Sequence, residues 1–544
     1  MKKDRSLFTD TRSLVSNWAV AEGPFSELRK KQVVHPSNTL LIPDFDKNLL
    51  ATHVVKKFSQ IGGYEVAKSN AYKAFSEREV VNRSLNRTLR FTAPTHLRLA
   101  RRYVREYLGR LDKSVLDEIL TLSYFGPGVC RGSKNDELSK TRSLTITKEL
   151  APFAPALLSE TGLSRLLYGN DAPFSSLSGP TVFCIDNAKL QCVPKDETKA
   201  RVITIEPALN SYVQNGVGEY LRRRLERRSS RFGRPYGFNL YDQSINQSLA
   251  VYPNATLDLK DASNSLSISL VELLLPPEWF HLLDLLRSRR YIDSCGEIVP
   301  FHLFCGMGNG FCFPLQTILF ASLVRAAVEE PGDCFTVYGD DIIISPNAVL
   351  PVISLYESVG LVINRDKSHY TLDDFYRESC GVHTYHGRLV TPVRFNWSQG
   401  DDLRVAAVAF HNVYLQFLSR YYFVSRESLS LCRAIQGYFP EIGIDGYGSP
   451  RISFWGNKRR RWPSSALKPV INPIPYEESA CGYMHALYRK VPRHSFGAGG
   501  NMGRTVGLKA ENEFFTSRQS FKGFTRVRTR SYIGLFPFVV LDAG

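Results

Sequence analysis

Phe335-Thr-Val-Tyr-Gly-Asp-Asp-Ile-Ile-Ile344 is the most informative decamer in this chain. Two runs of strand-forming residues flank Gly339-Asp340-Asp341, and glycine can take the backbone angles of a tight turn, so the stretch predicts a β-hairpin with acids at its tip. Two adjacent carboxylates between apolar strands are unfavourable unless something positive binds them. Like charges about 4 Å apart repel by about 4 kcal/mol at an effective dielectric near 20, and a divalent cation reverses that sign. The same tripeptide at Gly400-Asp401-Asp402 serves as a control. It lies between polar Asn396–Gln399 and the helical pattern Leu403–Phe410, where an Asp is read as a helix N-cap. Asp373-Asp374 reads as loop. The apolar flanks, not the tripeptide, carry the signal.

Working outward, Ala255-Thr-Leu-Asp-Leu259 places Asp258 near a strand end, facing away from Leu257 and Leu259. Alone it is an ordinary strand-end acid. With Asp340 and Asp341 it completes a carboxylate set of hard oxygen donors suited to Mg²⁺, and two such ions about 3.5–4 Å apart activate an attacking hydroxyl and stabilise a leaving phosphate oxygen. Between these acids, Cys305-Gly-Met-Gly-Asn-Gly-Phe311 is a glycine-rich loop ahead of a helix expected at Leu315–Glu329. It allows close approach to a ligand, but matches neither the dinucleotide fingerprint nor a Walker A sequence. Upstream, Val193-Pro-Lys-Asp-Glu-Thr-Lys-Ala-Arg201 puts Lys195, Lys199 and Arg201 on one face if extended. That face suits a triphosphate and equally an edge strand guarded by charge. Gly360-Leu-Val-Ile-Asn-Arg-Asp-Lys367 ends a strand on a lysine able to protonate a departing pyrophosphate, or simply a surface charge.

The 544 residues carry 69 Lys+Arg against 52 Asp+Glu, a net +17, with 43% hydrophobic residues. General disorder is excluded. No apolar run reaches the roughly 18 residues of a membrane span, and the basic start Met1–Trp18 lacks a signal-peptide apolar segment. Ten cysteines form no CxxC pair, and Cys380 with His383 is half a zinc site without a second half. Buried thiols in a reducing cytoplasm are expected. From Arg451 to Gly544 the net charge is +11, including Lys458-Arg459-Arg460-Arg461 and interleaved aromatics such as Trp455 and Trp462, a combination suited to phosphates and unpaired bases. Thr95–Leu111 and Tyr212–Arg228 read as amphipathic helices with Arg-rich faces. Residues 1–240 look mainly helical; short strands alternate with helices between about 250 and 370, predicting an α+β or α/β unit.

The ordered set VPKDETKAR, Asp258, MGNG, YGDD, NRDK and Phe375-Tyr-Arg-Glu-Ser-Cys-Gly381, with Asp242-Gln-Ser-Ile-Asn-Gln247 ahead of it, resembles the replicase catalytic (beta) subunit of the small single-stranded RNA bacteriophages, from about Val193 to Pro392. The resemblance implies an α+β right-hand polymerase fold with an antiparallel palm sheet: 1–240 as N-terminal and fingers region, 241–375 as palm, 376–544 as thumb and basic C-terminal region. It implies RNA-directed RNA synthesis with Asp258, Asp340 and Asp341 holding two Mg²⁺ (Mn²⁺ able to substitute) and Lys367 as acid. Lys195, Lys199, Arg201, Asn264, Gly308 and Asn309 would bind the nucleotide, and Arg459, Arg460 and Arg461 RNA. Implied partners are a single-stranded RNA template, nucleoside triphosphates, host elongation factors Tu and Ts and a ribosomal protein, in the bacterial cytoplasm without a membrane. Asn264 stands where relatives often carry a second acid that senses the ribose 2′-hydroxyl, and Cys312, Pro314 and Gln316 depart from the pattern expected after MGNG. Two rivals remain: a reverse transcriptase, and a non-enzymatic basic RNA-packaging or scaffold protein that accounts for the charge but not for the acidic hairpin.

Overall fold

A computed structural model describes residues 49, 64–92, 95–132, 144–160, 182–195, 199–232, 238–293, 295–328 and 335–392. The chain divides into two units, 64–391 and 1–63 with 392–544, and nearly all described residues belong to the first. The helical pattern at Leu403–Phe410 and the basic region holding Arg459, Arg460 and Arg461 lie outside the described residues.

In chain order the elements are α1 (Tyr64–Thr92), α2 (His96–Leu108), α3 (Lys113–Thr121), β1 (Leu144–Ile146), α4 (Ala154–Glu160), β2 (Val182–Cys184), β3 (Ala188–Pro194), β4 (Ala200–Ile205), α5 (Ala208–Phe232), α6 (Ser244–Leu249), β5 (Ala255–Leu257), β6 (Leu259–Lys260), α7 (Ile268–Leu274), α8 (Pro277–Leu286), β7 (Arg290–Ile292), β8 (Ile298–Pro300), α9 (Cys312–Ala327), β9 (Phe335–Tyr338), β10 (Asp341–Ile344), α10 (Val349–Ser358), β11 (Val362–Ile363), β12 (Tyr376–Ser379), β13 (Val382–Tyr385) and β14 (Arg388–Leu389). This is α+β, as expected. The first 240 residues hold more strand than their composition suggested, because β1–β4 are short and three of them, β1, β2 and β3, pair with strands distant in sequence.

The amphipathic readings of α2 and α5 hold. Leu97, Ala100, Val104, Tyr107 and Leu108 of α2 are buried, as are Val213, Val217, Tyr220, Leu221 and Leu225 of α5. Their apolar stripes pack into one core with α9, which is apolar on nearly every side and is buried along almost its whole length. Each large apolar side chain buried there contributes about 1.5–3 kcal/mol. Helix α9 begins at Cys312, three residues earlier than expected, because Pro314 falls in its first turn, where a missing N–H costs nothing.

Beside α9 lies the antiparallel sheet β5-β10-β9. Its register pairs Ile342 with Leu257 and Val337, and Ile344 with Ala255 and Phe335. At Asp258 the strand changes partner: β5 pairs with β10, while β6 pairs with β11, Ile363 opposite Leu259. A second sheet, β4-β3-β7-β8, packs Ala188, Leu190 and Cys192 with Phe75 of α1. The segment 193–201, read as one extended strand, is a hairpin. Pro194 pairs with Ala200, and the Lys195 N–H donates to the Lys199 carbonyl at 2.9 Å. By that register Lys195, Lys199 and Arg201 still share a face, since residues opposite one another in a ladder point the same way.

Candidate active site

The β9–β10 turn is built by its glycine and by α9. Gly339 has φ +65°, and a Cβ there would lie 2.3 Å from the Phe313 ring. Its N–H donates to Thr317 Oγ1 at 3.0 Å. The turn is therefore pressed against the first two turns of α9, leaving Asp340 at the tip and Asp341 as the first residue of β10. Asp258 directly follows Leu257, the partner of Ile342, and so comes at the end of β5 beside the start of β10.

Asp258 is gripped from its other side. Between the pairs Ile363–Leu259 and His369–Thr256, five residues, 364–368, face only two. The excess bulges over the carboxylate, as strand insertions next to active sites commonly do. Asn364 Nδ2 donates to Asp258 Oδ2 at 2.7 Å, and Lys367 Nζ lies 3.4 Å from the same oxygen. The Asp258 N–H donates to Ser368 Oγ at 3.0 Å, and its carbonyl accepts from the Asn364 N–H at 2.8 Å. Asn364 and Ser368 were not singled out from sequence; the available signal was a polar run directly after an apolar strand.

The electrostatics tie in the 193–201 hairpin. The Asp340 carboxyl is pushed up by burial first and then by the Asp258 charge, against the pull of Arg201 and Lys195. The Lys195 ammonium is pushed down by burial, then by Arg201 and Lys367, and is held up by Asp258 and Asp340. Two acids and three cations thus share one electrostatic neighbourhood: Asp258, Asp340, Lys195, Arg201 and Lys367. Lys199 lies at the same hairpin tip with its side chain exposed.

Asp341, adjacent to Asp340, has a further partner. Its Oδ2 accepts from Cys380 Sγ at 3.6 Å. Burial, then the charges of Asp340 and Glu378, push its carboxyl up to about 7, opposed by the Cys380 N–H and thiol. Among the described residues no group of three His, Cys, Asp or Glu side chains is gathered as a metal site. Two hard carboxylates, Asp258 and Asp340, still form a donor pair fit for a divalent cation, with Asp341 beside Asp340 and hydrogen-bonded to Cys380. A pH dependence follows. The folded Asp341 holds its proton more tightly than an unfolded one of ordinary pKa 3.8. Stability of the metal-free protein should therefore fall as pH rises from about 4 to about 7 and then level off. Asp341→Asn is expected to flatten that part of the profile, checked by urea unfolding in a chelator across the range; identical profiles would refute it.

Asn264 lies buried in the turn Ala262–Ser265, and its carbonyl accepts from Asn82 Nδ2 at 2.8 Å. Its own Oδ1 is buried without a hydrogen-bond partner, as is Nδ2 of Asn309, whose Oδ1 accepts from the Phe311 N–H at 3.1 Å. Gly308, at φ +107°, lies against β4, where a Cβ would come 2.1 Å from the Thr204 carbonyl oxygen. The half zinc site is otherwise engaged: Cys380 with Asp341, and His383 with the Tyr376 hydroxyl. No helix among the described residues is long and apolar enough to cross a membrane.

The family model described as "RNA replicase, beta-chain" matches residues 12–397. The RNA-directed RNA polymerase subunit beta of Enterobacteria phage SP is 42% identical over 212 residues, covering 38% of this chain and 35% of that one. The subunit of Qbeta virus (strain MX1) is 34% identical over 301 residues, covering 54% and 45%. The beta chain of Escherichia phage MS2 is 40% identical over 208 residues, covering 37% and 36%. The matched stretches thus span between about a third and just under half of these relatives' own lengths. Among solved structures, the RNA-dependent RNA polymerase of a human picobirnavirus aligns over 47% of this chain and 58% of its own at 15% identity and a TM-score of 0.33. Matched across well over half of its 544 residues, this chain belongs to the RNA replicase beta-chain family.

Proposed function

We propose that the chain is a template-directed RNA polymerase that copies a phage RNA genome by nucleotidyl transfer. The observation that carries this reading is the shared neighbourhood of Asp258 and Asp340 with Lys195, Arg201 and Lys367. Such a site needs acids to hold divalent ions and cations to hold a polyphosphate. Asp258 and Asp340, supported by Asp341, would hold Mg²⁺, which supplies charge neutralisation and eases deprotonation of the attacking hydroxyl. Arg201 and Lys195, with Lys199 beside them, hold the triphosphate. The 3′-hydroxyl of the growing strand attacks the α-phosphorus, the bond to the β-phosphate oxygen breaks, and pyrophosphate leaves. Lys367, paired with Asp258 at rest, delivers the proton to the leaving group. Positioning and charge stabilisation supply most of the rate.

On this reading the palm spans 241–375, between fingers in 1–240 and a thumb in 376–544. Arg459, Arg460 and Arg461 contact RNA, and host elongation factors Tu and Ts with a ribosomal protein complete the assembly in the bacterial cytoplasm. Mg²⁺-dependent nucleotide incorporation on an RNA template by the purified chain, with and without those factors, tests the assignment. No incorporation under either condition sinks it.

Asn264 Oδ1 is an acceptor and Asn309 Nδ2 a donor, each buried without a partner, and a hydroxyl, which can donate and accept, is able to satisfy either. They support a role in reading the ribose. Asn264→Ala is expected to lower the preference for ribonucleotides over deoxyribonucleotides by about tenfold, the worth of one good hydrogen bond. Incorporation of each substrate, compared as kcat/KM, checks this; an unchanged ratio removes Asn264 from sugar selection.

A further inference from the structure

The segment Asp242-Gln-Ser-Ile-Asn-Gln247 has no part in the chemistry above, yet it is tied to the acidic turn. Asp242 initiates α6, its carboxylate accepting from the Ser244 N–H at 2.9 Å and the Ser244 hydroxyl at 2.6 Å. Two residues on, Asn246 is buried beneath the hairpin. Its Nδ2 donates to the Asp341 carbonyl at 3.2 Å and lies 3.5 Å from Ser379 Oγ, and its Oδ1 accepts from the Thr336 hydroxyl at 2.8 Å. One side chain thus bonds to β9, β10 and β12. Its neighbour Gln247 donates through Nε2 to the Cys380 carbonyl at 3.2 Å.

Cys380 and Gly381 form the two-residue turn between β12 and β13, with φ of +48° and +76°. Positive φ at both positions is the geometry of a type I′ turn, and a non-glycine residue held there costs about 1–3 kcal/mol unless its surroundings enforce it. What this conformation gains is contact: the Cys380 thiol and N–H both point at the Asp341 carboxylate. We propose that Asn246 and Gln247 are positioning residues that clamp the Cys380-Gly381 turn against Asp341, so that α6 and the 376–385 hairpin together set the direction of that carboxylate.

This inference rests on the polymerase reading for its kinetic consequence but not for its structural one, and the experiment separates the two. Full-length Asn246→Ala and Gln247→Ala are compared with Ser248→Ala, whose exposed hydroxyl donates only to the Ile245 carbonyl of the same helix. Hydrogen–deuterium exchange is followed in peptides covering 335–345 and 376–385, and single-nucleotide incorporation is measured in parallel. Both clamp variants are expected to exchange about tenfold faster in 376–385, the effect of one lost hydrogen bond on local opening. Their kcat should fall by about 10–100-fold, the usual cost of losing a group that orients a ligating side chain, with KM for the nucleotide unchanged. Ser248→Ala should match wild type in both. If Asn246→Ala does not fold, Gln247→Ala, only half-buried, decides. Unchanged exchange in 376–385, or faster exchange with an unchanged kcat, overturns the clamp. If wild type itself incorporates nothing, the polymerase reading falls and the exchange comparison still decides whether the clamp exists.

Discussion

Asp340→Asn is expected to abolish nucleotide incorporation while leaving a folded chain that is no less stable, in the absence of metal, than wild type. The two halves of this result come from the same feature. Asp340 lies at a turn defined by Gly339, its bond to Thr317 and the Phe313 ring, and none of these depends on the Asp340 carboxylate. Burial and the nearby Asp258 both disfavour the charged form, so its folded pKa is raised. A raised carboxyl pKa means that ionisation near neutral pH works against the fold. A neutral side chain of the same shape removes that cost. The same change removes a hard oxygen anion from the donor pair. Charge stabilisation by bound ions amounts to several kcal/mol in such reactions, and each 1.36 kcal/mol is about tenfold in rate, so the loss should reach about a thousandfold or more. Melting in a chelator, RNA binding and incorporation are measured on one preparation. Near-wild-type elongation would remove Asp340 from the chemistry. A large drop in melting temperature would show that the acid is structural.

What the sequence disclosed was whatever is encoded locally. The hairpin at 335–344 was legible because unbroken runs of β-branched residues on either side of Gly339 leave few other solutions. Helices α2, α5 and α9 were legible from their periodicity or their unbroken apolarity. The hairpin at 193–201 was read as one strand because its turn residues, 195–199, include neither Gly nor Asn, so nothing local marked the reversal; the β3–β4 ladder closes it. The partner change at Asp258 and the 364–368 bulge were hidden for a related reason. They follow from two different strands competing for one segment, and neither strand's register is written in residues 255–260. Asp341's departure toward Cys380 was hidden too, since it depends on a cysteine held at positive φ, where local propensity would place Gly or Asn. The three acids were therefore identified by pattern, while the cations around Asp258 and Asp340 and the thiol beside Asp341 needed the fold.

Gly308→Ala should produce the largest loss of stability of any single-methyl change in the described part of the site. Gly308 has φ +107°, and the added carbon would come 2.1 Å from the Thr204 carbonyl oxygen. That oxygen is backbone and cannot swing aside. The residue before it is bonded to the same strand: the Met307 carbonyl accepts from both the Thr204 N–H, at 2.6 Å, and the Thr204 hydroxyl, at 3.0 Å. Accommodating the methyl means lifting the 306–310 loop from β4. The forced φ costs about 1–3 kcal/mol, and each displaced bond adds about 1 kcal/mol. Gly128→Ala is the matched control, because a Cβ there meets nothing within 4 Å, and it should stay within about 0.5 kcal/mol of wild type. Urea unfolding of the two variants measures the difference. The kinetic consequence is separate. Strand β4 also carries Arg201, so a loop lifted from Thr204 should loosen the triphosphate-binding face and raise KM for the nucleotide in whatever fraction remains folded. Equal stability of the two variants would mean that the loop does not rest on β4, and the coupling between the glycine-rich segment and the cationic hairpin would fall with it.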